Sequence, residues 1–383
     1  MPVFDRGLGW LGWGCGRRVG AFWSPRGCWA GGGFMVPNVG IGGCVIPEVR
    51  LPFGGGRHLQ VGVAGRLSEG WGLRFGLTLS GGRAGSASGL WGAVCPGVAL
   101  HGLALVANWC RYLCVVDEQR VAEDGVLVGA LRQVVADDSV STARNGHPGV
   151  LALRELLRST VLGCPAYWVR RLRGHLDRWL SGQLAESAYR VSGRVPTPEA
   201  FIDVRRDASA VLVMLDLVEM VERAAVLDVL YRAPAYQMLV LGTADLVCWI
   251  DDLHSLRKGD PMNLVTVLER HQQLGPQEAV DAVGARIALR AADQLAAGNQ
   301  LPAAMARLGF EPVCRPAVMR CVADQQSWVA GMGTASELMW WRWRRFRLWW
   351  GGGRLRGFGC LGCRWRGCRT RSCPSRRFSG LCW

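Results

Sequence analysis

An acidic pair follows a long, almost entirely apolar stretch of the chain. Residues 235–250 are almost entirely apolar and lead into Asp251 and Asp252, with Ser255 one turn later. Two adjacent carboxylates at the end of a buried helix repel each other unless a cation or a proton compensates their charge. Asp251, Ser255 and position 259 lie on one face of a continuous helix, and their type of oxygen ligand suits a hard cation such as Mg²⁺. The alternative interpretation is an ordinary helix end in solvent.

A pair of arginines lies upstream of these acids. Arg205 stands 46 residues before Asp251, next to Arg206 and shortly before Ser209. A guanidinium presents a planar fork of donors that matches phosphate or carboxylate oxygens. Taken alone, the segment would be interpreted as a solvated arginine in a charged run, since acidic residues flank it.

A second acidic pair, Asp117 and Glu118, ends an aromatic segment that includes Trp109. By itself such a pair is most typical of the loop after a helix. It becomes a candidate metal site only if the fold brings it opposite Asp251.

These segments together resemble the bacterial class I terpene synthases, over about residues 90–333 and most closely between 200 and 290. The second metal motif of that family reads N/D-D-x-x-S/T-x-x-x-E, often with a lysine just before the glutamate. Asp251, Asp252, Ser255 and Lys258 match it in register. The stretches that carry the resemblance are Phe201-Ile-Asp-Val-Arg-Arg-Asp-Ala-Ser, Trp249-Ile-Asp-Asp-Leu-His-Ser-Leu-Arg-Lys and Asn263-Leu-Val.

The resemblance implies an enzyme of isoprenoid biosynthesis, a lyase that uses Mg²⁺ to ionise and cyclise a prenyl diphosphate, either farnesyl or geranyl diphosphate. Its fold would be an all-α helical bundle around a central cavity. Arg205 and Lys258 would act as catalytic cations on the leaving diphosphate. The implied metal ligands are Asp117, Glu118, Asp251, Asp252 and Ser255. The implied substrate contacts are Trp109, Arg205, Arg206, Ser209 and Trp328.

Two departures from the family pattern affect the expected activity. Gly259 stands where the motif has its glutamate, and the linker to Asn263 is several residues short. No Arg-Tyr pair follows Trp328, although such a pair normally closes over the diphosphate. We therefore expect little or no turnover by this chain.

The periodicity between residues 98 and 308 predicts helices joined by short connections, and no hairpin signal interrupts them. The all-α prediction depends on this pattern. The predicted helices span residues 98–116, 125–135, 149–162, 167–189, 198–230, 235–258, 261–274, 277–297 and 302–308.

The two ends of the chain differ in composition from its middle. The 383 residues carry 45 Lys+Arg and 30 Asp+Glu, yet residues 341–383 contain 12 arginines and no acidic residue. The Gly, Arg, Trp and Cys mixture at both ends is what a GC-rich gene yields in a shifted reading frame, so we hypothesise that the ends are not native coding sequence. We accordingly divide the chain into an irregular segment at 1–90, a helical domain at 91–335 and a disordered tail at 336–383.

The cysteines do not indicate a metal centre. Cys360 and Cys363 have half of a zinc-ligand spacing, but no second CxxC and no histidine follows them. The first 30 residues contain charges and glycines where a signal peptide has its apolar core, so we expect a cytoplasmic protein with reduced thiols.

A second function class remains open beside the enzyme. A noncatalytic helical protein could use basic, aromatic ends to bind nucleic acid or anionic surfaces, since arginine neutralises phosphate and tryptophan stacks on bases. We favour a small-molecule prenyl diphosphate partner over nucleic acid, expect no membrane segment, and leave a homodimer open.

Overall fold

Helices make up most of the structure, a computed structural model that describes residues 34–36, 40–41, 43–47, 49–78, 92–118, 124–136, 146–224, 226–256 and 259–332. The helices are α1 Val61–Arg74, α2 Leu100–Glu118, α3 Gly125–Ala136, α4 Pro148–Val161, α5 Ala166–Ser192, α6 Pro198–Ala208, α7 Val211–Val221, α8 Asp228–Tyr231, α9 Pro234–His254, α10 Leu264–Gln272, α11 Pro276–Arg307 and α12 Arg315–Met332. The strands are β1 Phe34–Val36, β2 Gly40–Ile41, β3 Cys44–Val45 and β4 Val49–Leu51. The tail proposed at 336–383 lies outside the described residues.

Helix α9 runs through the centre of the bundle, as its apolar sequence predicts. Every residue from 242 to 254 is buried, and the helix packs against α6, α7, α10, α11 and α12. It ends earlier than predicted, at His254, and Ser255 already leaves helical geometry with φ −101°. Gly259 has φ +77°, a left-handed conformation that favours glycine. Position 259 is therefore not on the helical stripe of Asp251 and Ser255, and the prediction of an i, i+4, i+8 face was wrong at its last position.

The predicted helix at 198–230 is in fact three helices. Thr197 caps α6 by accepting a hydrogen bond from the backbone of Ala200, and Pro198 occupies its first turn. Ala210 (φ +59°), between α6 and α7, and Arg223 (φ +53°), just after α7, adopt left-handed backbone conformations. These conformations interrupt the predicted helix. The prediction missed both breaks because neither position carries glycine or proline.

The C-terminal helices also differ from the prediction. Helix α11 passes through Pro302 without a break, where the sequence rule predicted two helices. Helix α12 was not predicted and supplies the buried Val318, Cys321 and Trp328 to the core. The all-α class is nevertheless confirmed for the bundle. No helix in the described ranges combines the length and the apolar character needed to cross a membrane.

Part of the segment predicted as irregular is folded against the bundle. β1 pairs antiparallel with β4, and β2 pairs antiparallel with β3. Helix α1 packs on α2, where Ser68 Oγ donates a hydrogen bond to the carbonyl of Ala107 at 3.1 Å. The backbone N–H of Gly56 donates to Ser327 Oγ at 2.9 Å. Residues 49–78 therefore contain a strand and a helix, and they are not irregular as predicted.

A buried carboxyl on α12 should make stability depend on pH. Burial raises the pKa of Asp324 to about 8, with a further contribution from Glu222 against the opposing effect of Arg320. The unfolded carboxyl titrates near 3.8, so the folded chain holds an extra proton between these values and stability falls as pH rises from about 4 to 8. Asp324→Asn should flatten this fall, measured as the urea midpoint against pH.

Glu219, whose pKa burial also raises to about 8, will leave part of the slope in the Asp324→Asn variant. The exposed Asp293→Asn should retain the full slope. An unchanged profile in Asp324→Asn would contradict a protonated carboxyl at this position.

Candidate active site

The last turn of α6 and the C-terminal end of α9 place a guanidinium against two carboxylates. Arg205 donates from Nη2 to Asp251 Oδ2 at 2.7 Å and to Asp252 Oδ1 at 2.9 Å, and from Nε to Asp252 Oδ1 at 3.2 Å. Arg205 and Asp251 are each 5% exposed, and Asp252 is fully buried. The structure thus brings together the arginine and the acidic pair that stand 46 residues apart in sequence.

The electrostatics of this contact keep Arg205 charged. Burial lowers the pKa of its guanidinium, but Asp252, Cys248 and Asp251 outweigh burial and raise the pKa well above its ordinary value. A buried cation that is charged at every relevant pH therefore lies at the end of α9.

Asp252 also joins α9 to α10. Its Oδ2 accepts a hydrogen bond from the backbone N–H of Leu264 at 3.2 Å, and its carbonyl accepts one from Asn263 Nδ2 at 2.8 Å. Asn263 Oδ1 in turn caps α10 by accepting from the N–H of Val265 at 3.0 Å. Both carboxylate oxygens of Asp252 have donors, Arg205 and Leu264, and its role as a metal ligand stays a prediction.

Ser255 leaves a polar atom without a partner at this site. The residue is buried, and its Oγ has no hydrogen-bond partner among the described residues, while its N–H donates to the carbonyl of Asp251 at 2.7 Å. The neighbouring His254 is buried as well, and burial lowers its pKa. His254 is buried because α9 is enclosed up to its last residue.

A second arginine, which the sequence analysis missed, lies next to this cluster. Arg190, near the end of α5, forms ion pairs with Glu186 at 2.5 Å and with Asp260 at 3.4 Å. Burial lowers its pKa, Glu186, Asp260 and Asp117 raise it, and Arg205 lowers it, with a net rise. These mutual influences place the end of α2 in the same electrostatic neighbourhood as the ends of α5, α6 and α9. In sequence, Glu186 and Arg190 form an ordinary i, i+4 helix pair, which gave no signal.

Arg206 and Ser209 are not part of this cluster. Arg206 binds Asp245 with both branches of its guanidinium, at 2.7 and 2.8 Å, and Arg290 binds the same carboxylate at 2.8 Å. Ser209 closes α6 through a hydrogen bond from its Oγ to the carbonyl of Arg206 at 3.0 Å. Arg206 and Ser209 thus have partners within the protein, and the substrate contacts implied for them stay predictions.

The other predicted ligands are placed only in part. Asp117 is half-buried in the last turn of α2. Glu118 is the last residue of that helix, and its side chain lies outside the described residues, as does Lys258. Their roles remain predictions.

The two predicted aromatic contacts belong to the core. Trp109 is fully buried and donates from Nε1 to Thr160 Oγ1 at 2.8 Å, which directs its N–H towards α4. Trp328 is 2% exposed on α12, and its Nε1 has no hydrogen-bond partner in the part of the chain that the structure describes.

The donor atoms fit a hard cation at two positions. Asp251 and Ser255 offer a carboxylate and a buried, unpartnered hydroxyl one turn apart, a set that suits Mg²⁺ better than softer metals. In the described part of the chain no group of three or more His, Cys, Asp or Glu side chains is arranged to hold a metal ion. A metal at Asp251 and Ser255 would thus need further ligands, which the α2 end could supply.

Comparison with known proteins identifies relatives of this arrangement. The family described as terpene synthase family 2, C-terminal metal binding, matches residues 109–293. (−)-δ-Cadinene synthase of Streptomyces clavuligerus is 29% identical over 252 residues, which is 63% of this chain and 77% of the relative. (+)-T-Muurolol synthase of Roseiflexus castenholzii, a (2E,6E)-farnesyl diphosphate cyclising enzyme, is 25% identical over 245 residues, 60% of this chain and 75% of the relative.

Solved structures show the same fold. Hedycaryol synthase superposes with a TM-score of 0.67 at 22% identity, covering 77% of this chain and 97% of that one. Germacradien-4-ol synthase from Streptomyces citricolor gives a TM-score of 0.65 at 22% identity, covering 76% and 97%.

Proposed function

The chain belongs to the class I terpene synthase family, and on that basis we propose that it uses Mg²⁺ to ionise farnesyl diphosphate and cyclise the resulting cation. The observation that carries the proposal is the buried contact of Arg205 with Asp251 and Asp252. It places a permanent cation beside a candidate metal ligand, which is what a departing diphosphate requires.

The chain's own residues divide the work between charge and position. Asp251 and Ser255 from α9, with Asp117 from α2, would hold Mg²⁺, which when bound neutralises negative charge on the leaving diphosphate. Arg205 offers its planar fork to the diphosphate oxygens beside them. Asp252 orients Arg205 and fixes α10. Lys258 would add a point charge from the loop after α9.

A fifteen-carbon substrate is supported by the relatives. The muurolol and 4-epi-cubebol synthases are both named for cyclising (2E,6E)-farnesyl diphosphate, and the chain covers 75% and 70% of their lengths. We therefore propose farnesyl diphosphate over geranyl diphosphate.

Turnover should be slow because the second metal motif is incomplete. Gly259 provides no carboxylate, and its φ of +77° shows that the backbone there has left the helix. Substituting Gly259 with glutamate would impose a strained left-handed conformation away from the stripe of Asp251 and Ser255. The substitution Gly259→Glu should therefore not restore activity.

Incubation with Mg²⁺ and geranyl, farnesyl or geranylgeranyl diphosphate tests the proposal. We expect cyclic hydrocarbon or alcohol from farnesyl diphosphate at a rate at least about 100-fold below the enzyme median of about 10 s⁻¹, and none with EDTA. Titration with inorganic diphosphate provides a second readout, since it should bind with Mg²⁺ and lose affinity in Arg205→Ala.

Two results would count against the proposal. If inorganic diphosphate does not bind, or binds equally well without Mg²⁺, the proposed Mg²⁺–diphosphate site is wrong. High-affinity binding of nucleic acid without any prenyl diphosphate product would favour the noncatalytic alternative.

A further inference from the structure

Two neighbouring pockets open at the end of the bundle away from Arg205. The larger has a volume of about 620 Å³ and lies between α2, α4, α5 and α7, and the smaller, of about 470 Å³, lies between α5 and the α8–α9 segment. Tyr167 lines both. Trp168, in the wall of the larger pocket, precedes Arg190 by 22 residues on the same helix, or about 33 Å of helix length. The two pockets are therefore distinct from the proposed diphosphate site.

The larger pocket is mainly apolar. Leu105, Leu162, Met220 and Val221 form much of its wall. Trp168 also lines it and is 4% exposed, and its Nε1 has no hydrogen-bond partner within the described ranges. A buried N–H without an acceptor is unfavourable, so a ligand oxygen near this wall would be stabilised.

The smaller pocket is cationic. Arg170, Arg171 and Arg232 line it, against one acid in its wall, Asp228. Arg170 and Arg232 are exposed, and neither side chain forms a hydrogen bond or an ion pair in the described part of the chain. Two guanidinium groups without an ion pair at a concave surface attract an anionic group.

Arg171 is fixed in place beneath these two cations. Its Nε donates to Asp216 at 2.8 Å, its Nη2 pairs with Glu219, and its guanidinium stacks on Tyr231 at 4.1 Å from the ring centroid. Glu219 also lines the larger pocket, so the Arg171–Glu219 pair connects the two walls.

Helix geometry favours an anion at the same place. Tyr167 lies in the first turn of α5, and Gln237, which lines the smaller pocket, lies at the start of α9. Neither helix has a side-chain cap hydrogen bond at its N-terminus. Free backbone N–H groups and the positive ends of two long helix dipoles therefore add to the arginine charges.

We propose that these adjoining pockets form a second binding site, for an amphipathic anion whose apolar chain occupies the larger pocket and whose phosphate or carboxylate head binds Arg170 and Arg232. Their volumes lie within the range of small-molecule sites. Tyr167 and Trp168 stand where head and chain would join. An isoprenoid phosphate and a fatty acid share this chemistry, and the proposal does not depend on the function proposed above.

Isothermal titration of the full chain in EDTA, which removes the metal required by the diphosphate site, tests the second site. The probes are farnesyl monophosphate and dodecanoate, with farnesol as the chain alone and inorganic phosphate as the head alone. We expect at least one anionic amphipath to bind about tenfold more tightly than farnesol and phosphate, since each contributes only one half of the contact. Preference for the phosphate or for the carboxylate identifies the source of the ligand.

Variants locate the bound molecule. The double substitution Arg170→Ala and Arg232→Ala should weaken binding by about tenfold or more, whereas the exposed pair Arg270→Ala and Arg307→Ala should leave it unchanged. Ala99→Trp, at an exposed position in the wall of the larger pocket, should weaken binding of the chain-bearing probes only. Failure of both anionic amphipaths to bind, or binding unaffected by loss of Arg170 and Arg232, would overturn the proposal.

Discussion

Replacing Arg205 with alanine should lower the free energy of unfolding by about 3–5 kcal/mol, because Asp251 and Asp252 would lose the cation that compensates them in a buried site. The same change should abolish Mg²⁺-dependent binding of inorganic diphosphate. Denaturant unfolding measures the first effect. Titration at a temperature where the variant stays folded measures the second.

The chain contains a matched control for this substitution. Arg178 Nη2 pairs with Asp207 Oδ1 at 2.7 Å, the distance of the Arg205–Asp251 contact, but the Arg178 side chain is 52% exposed. Arg178→Ala should therefore cost about 1 kcal/mol or less and retain diphosphate binding. Equal destabilisation by the two substitutions would show that burial of the Arg205 pair has no energetic importance.

The substitution Gly182→Ala should have the second large effect. A Cβ at position 182 would lie 2.4 Å from the backbone nitrogen of Ala208 and 2.7 Å from the backbone carbon of Asp207, so α5 and α6 could not keep their present separation. Overpacking against backbone should cost about 1–3 kcal/mol. Because α6 carries Arg205, product formation from farnesyl diphosphate should fall as well.

Gly174, on the same helix, provides a control that distinguishes the effect of close packing from the effect of helix propensity. A Cβ there meets no atom within 4 Å. Gly174→Ala should therefore stabilise α5 by about 0.5–1 kcal/mol without changing product formation. Thermal unfolding and product analysis of both alanine variants make the comparison. Matching behaviour of Gly182→Ala and Gly174→Ala would contradict a close α5–α6 contact.

The sequence supported the core of the site better than its margins. The resemblance to the terpene synthases connected Arg205 to Asp251, because a motif on two helices keeps its separation when the helices keep their lengths. The hydrogen bond between Asp252 and Leu264 and the partial burial of Arg190 depend on how helix ends pack, and no local pattern encodes that. The glycine-rich composition around α1 gave no helical signal, although this helix packs against α2.

The prediction of helix boundaries failed where tertiary packing imposed a backbone conformation that the helix propensity of the residues does not favour. Ala210 and Arg223 adopt left-handed backbones that their residue types disfavour, so tertiary packing sets these breaks. Pro302 was predicted to end a helix, yet α11 continues around it to Arg307. In each case the sequence rule is correct for an isolated segment.

The double link from Asp252 to Asn263 and Leu264 fastens both ends of the short crossing that follows α9. With its ends clamped, this crossing can be lengthened at little expense, since doubling a flexible loop adds only about 0.6 kcal/mol of closure entropy. Inserting a helical turn that carries a carboxylate after α9 should therefore supply the missing ligand of the motif. The hydrogen bonds from Asn263 and Leu264 to Asp252 would still hold the start of α10 in place.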